Sequence, residues 1–189
     1  MNSDVQETVL RMRMDAARWV RPEGVAPLEN VTPRIFMHLL SKYAPLRAMV
    51  WFRLGNLAHA VGVRGVPSWV QRRLMRIYGL ELEPAAQIGG GLYIAHPVGC
   101  VLSARKIGSN VTVISNVTFG TRDDAMWPTI GDGAFIGVGA RILGGVDIGA
   151  RGRVGANAVV IHDVPAGATA VGIPARIVAS PTPSSTNSR

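Results

Sequence analysis

Cysteine is nearly absent, acidic side chains are scarce and no long apolar run occurs. Each shortage removes a class of protein. The one cysteine, Cys100, has no partner for an intrachain disulfide and offers too few thiolates for a structural metal site. Every apolar stretch is interrupted by Arg or Lys well short of a membrane span, and the opening MNSDVQETVLRMRMD has acidic residues and no apolar secretory core. A cytoplasmic protein is therefore expected. Asp and Glu number 12 against 20 Lys and Arg, a formal net charge of +8, and nearly all the surplus lies early: 12 basic and 5 acidic residues up to position 80, then 8 and 7. Such a balance suits nucleic acid, an anionic membrane surface or phosphorylated small molecules. Here Arg47, Arg53, Arg64, Arg72, Arg73 and Arg76 interleave with apolar residues at helical spacing. A solvated helix face accounts for them. No nucleic-acid partner is expected, and association with a membrane surface stays open.

What is present is apolar side chain, 48% of 189 residues, with 22 Gly and 12 Pro. That content excludes disorder along the whole chain, and the Gly and Pro load argues against a simple helical bundle. From residue 130 an aliphatic side chain recurs at every sixth position: Ile130, Ile136, Ile142, Ile148, Val154 and Val160. Four of these precede a Gly, at 131, 137, 149 and 155. The same period runs upstream through Val101, Ile107, Val113 and Phe119, and before that through Ile88 and Ile94. Phase breaks twice, by one residue between Ile94 and Val101 and by five between Phe119 and Ile130.

A six-residue period fits neither a helix nor a plain strand. It fits a solenoid whose short flat sides each turn one aliphatic residue inward, three sides to a triangular coil. The following Gly is read as a corner residue, where the coil needs either a small side chain or backbone angles that strain other residues. About four coils are expected between residues 84 and 165, a prism roughly 20 Å tall at the ~4.8 Å inter-strand spacing. Residues 33–79 instead carry helical spacing, with Pro45 and Pro67 near helix starts and Gly62 and Gly79 near helix ends. Two or three helices are expected there, with Trp51, Phe52, Leu54, Leu57 and Trp69 as a buried stripe. Residues 1–32 add a further helix and a Pro-containing linker. The tail SPTPSSTNSR is expected to be disordered.

The segments ELEPAAQIGGGLYIAHPVG, NVTVISNVTFG and PTIGDGAFIGVGARILGGVDIGARGRVGANAVVIHDVPAGATAVGIPARIV resemble the serine acetyltransferase branch of the hexapeptide-repeat acyltransferases. The resemblance covers residues 81–178. It implies a left-handed parallel β-helix, mainly β with an α-helical N-terminal region, divided as 1–80 helical, 81–179 acyltransferase and 180–189 tail. It also implies acetyl transfer from acetyl-CoA to a hydroxyl, without a metal, in a homotrimer with sites between subunits.

His96 matches the family's general base and lies in the first phase break, where the extra residue lets its side chain leave the wall. An imidazole with an ordinary pKa near ~6.5 suits removal of a hydroxyl proton. By the family pattern the orienting acid lies fifteen residues earlier, at Glu81, where Asp is usual; Glu83 is the second candidate. Gly120, Thr121, Val138 and Ala156 match cofactor-groove positions, although coil-corner geometry alone also explains small residues there. Arg141, Arg151, Arg153 and Arg176 are candidates for the CoA phosphates. No Walker-type or dinucleotide Gly loop is present.

Departures from the family fall on the acceptor side. The serine enzymes carry Asp before the catalytic His and an Arg-His pair before the next coil's Pro, where this chain has Ala95, Met126 and Trp127, and its loop TRDDAMWP is about three residues shorter. A zwitterion would meet an apolar wall there, unless Arg122, Asp123 or Asp124 substitute. Trp127 suits a sugar face or caps the coil edge. The expected acceptor is a sugar or related metabolite, with L-serine as the alternative. A three-His metal hydratase lacks its ligands, since the repeat region holds only His96 and His162, the latter expected to be exposed.

Overall fold

The computed structural model describes residues 3–21, 25–122 and 125–178. Expectations for the tail at 180–189, and for Asp123 and Asp124, fall outside the described residues. Four α-helices precede the coils: α1 (Ser3–Val20), α2 (Pro33–Lys42), α3 (Ala44–Ala60) and α4 (Val66–Tyr78). Proline occupies the first turn of α2, α3 and α4, where a missing N–H costs nothing. Thr32 caps α2 by accepting from the Ile35 N–H at 3.3 Å, and α4 stops at Gly79, whose left-handed φ of 60° lets its N–H return to Leu74 and Met75.

Three parallel faces follow. The first stacks Leu80–Glu81, Cys100–Leu102, Thr118–Gly120, Arg141–Leu143 and Val159–Val160. The second stacks Lys106–Ile107, Thr129–Ile130 and Asp147–Ile148, extended by bridges at Ile88 and Val164. The third runs from Tyr93–Ile94 through Thr112–Val113, Phe135–Ile136 and Arg153–Val154 to Thr169–Gly172, and closes with antiparallel Ala175–Val178. This is a left-handed β-helix of five coils, one more than expected, because three further rungs join those read from the sequence: Leu82 before Ile88, and Val164 and Ala170 after Val160.

The ladder corrects the sequence phase at one rung. Leu102, not Val101, is fully buried, and its register partner is Phe119, while Val101 lies opposite Thr118 on the outer side. The break after Ile94 is thus two residues beyond the period, and the next step is one short. Nor are the Gly residues after inward positions corner residues with unusual φ. A Cβ on Gly131 would meet the Ala150 nitrogen of the next coil at 2.6 Å, and one on Gly137 the Ala156 nitrogen at 2.7 Å, so they are small because the coils stack closely. The left-handed corners fall three residues before inward positions, at Asn110, Asn116, Gly133, Gly139 and Asn157 among others.

The buried stripe is also redrawn. Phe52 is fully buried, but α4 buries Val70, Leu74 and Tyr78, which leaves Trp69, one position outside that row, 46% exposed, and Leu54 is likewise exposed. Arg53, read as solvated, is 1% exposed. Its guanidinium pairs with Asp15 of α1 at 2.9 and 3.1 Å and donates to the Ile88 and Gly89 carbonyls, while Asp15 accepts from the Gly91 and Leu92 N–H groups. Breaking a buried pair by removing one partner strands the other charge, at about 3–5 kcal/mol. Arg53→Ala is therefore expected to lower the melting temperature by roughly 10 °C or more in a chain of this size, as read by circular dichroism. A shift within a degree or two would show that the pair does not hold helices to coils.

Candidate active site

The coils present three edges, and the sequence-predicted residues other than Arg151, Arg153 and Arg176 divide between two of them. His96 lies on the edge leading from the third face to the first, in the segment between Tyr93–Ile94 and Cys100–Leu102. Its ring is exposed and its backbone is fixed, with the His96 N–H donating to the Ile114 carbonyl at 2.9 Å. Val138 and Ala156 occupy the same edge two and three coils on, both exposed, and are tied into one column by Gly139 N–H to Ser115 O and Asn157 N–H to Val138 O, each at 2.8 Å. Arg141 also belongs to this edge, with its guanidinium donating to the Asn116 and Gly139 carbonyls. Ala95, half-buried, precedes His96 on it.

Glu81 reaches that edge from the outer side of the first face. It is half-exposed between the buried Leu80 and Leu82 and lies in register with Val101, while Gly99 N–H donates to Gly79 O at 3.0 Å, so the strand start runs beside the segment that follows His96. Among the described residues no hydrogen bond joins Glu81 to His96. Glu83 also points outward but lines a different groove, on the edge from the first face to the second. The two carboxylates are thus separated, and only Glu81 stays beside the histidine's segment.

That second edge holds the loop residues. Gly120 ends its strand there, Thr121 and Arg122 are exposed, and Met126 lies over Gly145 of the next coil, whose hypothetical Cβ would come within 2.9 Å of it. Trp127 is 46% exposed and borders a groove of about 260 Å³ with Glu83, Gln87, Ser103 and Arg105. Sequence reasoning missed Gln87, Ser103 and Arg105, which carry no periodic signal because they point away from the coil interior. Arg105 donates to the Thr129 hydroxyl at 2.7 and 3.1 Å and lies 3.5 Å from Asp147. Of the other candidate cations, Arg153 stacks on Phe135 at 4.5 Å, and Arg151 and Arg176 are exposed. His162 is exposed, as expected. Among the described residues no group of His, Cys, Asp and Glu is arranged to hold a metal ion, and no helix is long and apolar enough to cross a membrane.

Cys100 bears on the chemistry by what it cannot do. It is buried four residues after His96 with its Sγ 3.6 Å from the His96 carbonyl, and burial pushes its thiol pKa above the ordinary value. A protonated, enclosed thiol is a poor nucleophile, so an acetyl-cysteine intermediate is not expected there. In the folded protein at pH 8 Cys100 should resist iodoacetamide and react after denaturation, and Cys100→Ala should keep thiol release from acetyl-CoA within about threefold. Rapid native alkylation that abolishes activity would contradict this, as read by mass spectrometry.

Comparison with known proteins shows a hexapeptide-repeat acyltransferase, an acetyl-CoA-dependent O-acetyltransferase. The chain is 34% identical over 154 residues to a serine acetyltransferase of Helicobacter pylori strain J99, spanning 79% of this chain and 90% of that protein. It is 37% identical over 158 residues to the Bacillus licheniformis serine acetyltransferase, spanning 79% and 71%. Among solved structures, soybean serine acetyltransferase without ligand superposes with a TM-score of 0.78 at 32% identity, over 92% of this chain and 69% of that one. A serine acetyltransferase in complex with CoA gives 0.76 at 28% identity, over 92% and 70%, and the soybean enzyme complexed with serine gives 0.75 at 34%, over 93% and 70%. No family model matches the chain. The chain belongs to the serine acetyltransferase family.

Proposed function

We propose that the chain acetylates the hydroxyl of L-serine by direct transfer from acetyl-CoA, with His96 as general base and Glu81 as the residue that orients it. The observation carrying the acceptor is kinship: the relatives matched over 71–90% of their length are serine acetyltransferases, and one structural neighbour was solved with serine. This reverses the preference for a sugar drawn from the sequence alone. In the reaction His96 takes the hydroxyl proton as the oxygen attacks the thioester carbon. The C–S bond breaks, and the proton passes on to the departing CoA sulfur.

In this reading residues 1–80 form the helical lid and 81–179 the transferase. The column of Val138 and Ala156 beside His96 offers backbone groups to the CoA chain, with Arg141 near its phosphates, while Gly120 and Thr121 contribute from the other edge. Because His96 and Trp127 lie on different edges of one prism, a site that uses both closes only when another subunit brings its edge alongside. A homotrimer meets that demand, and light scattering that found a monomer at micromolar concentration would refute it.

One observation favours a second reading, a neutral hydroxylated acceptor such as a sugar. Ala95, Met126 and Trp127 supply neither an anion for the serine ammonium nor a cation for its carboxylate, and unpaired charges are costly to desolvate. Under the serine reading that task falls to Glu83 and Arg105 across the Trp127 groove, or to Arg122 on its loop. A thiol-release assay over serine, homoserine and a sugar panel separates the two. Serine turnover that falls at least tenfold in Arg105→Ala or Arg122→Ala supports serine; negligible serine turnover beside sugar acetylation overturns it.

His96→Ala is expected to lower transfer by roughly two to four orders of magnitude while leaving the fold intact. Glu81→Gln should cost less, since an amide oxygen still accepts the imidazole N–H but supplies no charge to the imidazolium. Greater damage from Glu83→Gln to kcat, with the KM for the acceptor unchanged, would take the orienting role from Glu81.

A further inference from the structure

Between Glu29 and Glu81 the chain contains no acidic residue at all, while it carries eight Lys and Arg. Only Arg53 of these is spent on the buried pair with Asp15. Of the others, Arg64, Arg72, Arg73 and Arg76 lie on the α3–α4 hairpin, on a surface that is also apolar. The hairpin of α3 and α4 ends in a tip, VGVRGV, where Val61, Val63 and Val66 are all exposed around Arg64, and a Cβ placed on Gly62 or Gly65 would meet nothing within 4 Å. Along the outer side of α4, Trp69 and the 55% exposed Ile77 line a shallow groove with Arg72, Arg73 and Arg76. Arg73 lies 4.5 Å from the Trp51 ring centre and 5.5 Å from that of Trp69, and its Nε has no hydrogen-bond partner. Among the described residues none of Arg64, Arg72, Arg73 and Arg76 forms an ion pair.

We propose that the α3–α4 hairpin docks the enzyme on an anionic phospholipid bilayer. Tip valines and Trp69 enter the headgroup boundary, where an indole with one polar end is well placed, and the arginines meet lipid phosphates. The protein lies on such a surface and does not cross it, since no described helix is long and apolar enough to span. Charge chooses this occupant. A second copy packed face to face would set arginine against arginine with no carboxylate between, and a nucleic acid would leave the three tip valines without apolar cover.

The test is co-sedimentation of the full chain with phosphatidylcholine vesicles, with and without about 30% phosphatidylglycerol, at low and high salt. The expected result is partition onto the anionic vesicles alone, weakened by salt, with Trp fluorescence quenched by brominated lipid and restored in Trp69→Phe. Arg72→Gln with Arg76→Gln should weaken partition roughly 30-fold. Val63→Asp should weaken it independently, and thiol release from acetyl-CoA in solution should stay unchanged in both. Absence of wild-type partition overturns the proposal, as does equal binding by the double variant. Duplex DNA that displaces the protein from vesicles would reassign the face to nucleic acid. A smaller particle for the double variant in light scattering would reassign it to contact between copies. Because vesicle binding is read without acetyl-CoA or acceptor, its failure would leave the catalytic reading untouched.

Discussion

A stack of parallel coils has an open end, and the backbone groups of the first coil have no earlier coil to bond. Everything downstream depends on how that end is closed. Here side chains do it: Arg53 donates to the carbonyls of Ile88 and Gly89, Asn56 donates to Pro84 O at 2.6 Å, and Asp15 accepts from Gly91 and Leu92. Phe52, Met49 and Leu74 belong to the same buried cluster as the first inward rung, so the lid is apolar where the coil interior ends and polar where its backbone is exposed. Arg18 extends the attachment to the second coil through Asn110 O at 2.8 Å and the Thr112 hydroxyl at 2.7 Å. At the other end the antiparallel Ala175–Val178 covers the last strand of the third face.

A closed stack makes its edges rigid, which is what direct acyl transfer requires of a base, since a positioned group must sit within hydrogen-bond reach of the proton it removes. His96 lies in the first coil, close to the lid, and its backbone is held by the second coil. Glu81 follows directly on the turn that ends α4. The lid and the edge that carries His96 are therefore one construction, joined at Gly79: its left-handed φ ends the helix, and its carbonyl fixes the chain at Gly99 just beyond the histidine.

Much of this was legible because repetition amplifies a weak signal. One aliphatic residue at a sixth position means little; six in a row from Ile130 to Val160 require stacked coils. Legibility failed where repetition stops. The phase at Leu102 was missed because the two-residue excess after Ile94 and the shortfall before Ile107 nearly cancel, so Val101 fits a count that only strand register with Phe119 can correct. Arg53 and Trp69 exchanged their expected environments for the same reason: helical spacing identifies an apolar stripe but not its partner. The partner of Arg53 is an Asp thirty-eight positions earlier, and the neighbour that leaves Trp69 outside is fixed by which row of α4 meets α3.

The acceptor is harder to read than the donor for a structural reason. Residues that stack coils, such as Gly131 and Gly137, are constrained by van der Waals contact whether or not a ligand binds, so similarity across the repeat reports mainly on the scaffold and on the groove it creates. Ala95, Met126 and Trp127 stand outside that constraint. Met126 and Trp127 are 54% and 46% exposed on a loop, and Ala95 contributes a backbone hydrogen bond that any residue would make. Of the three, Met126 packs on the next coil, over Gly145. Kinship therefore bears strongly on acetyl transfer and on the helix that performs it, and less strongly on the molecule that receives the acetyl group. For serine to be that molecule, its two charges must find partners supplied from the Trp127 groove or its loop, because a buried ammonium or carboxylate left without one would lose more than the family's remaining contacts return.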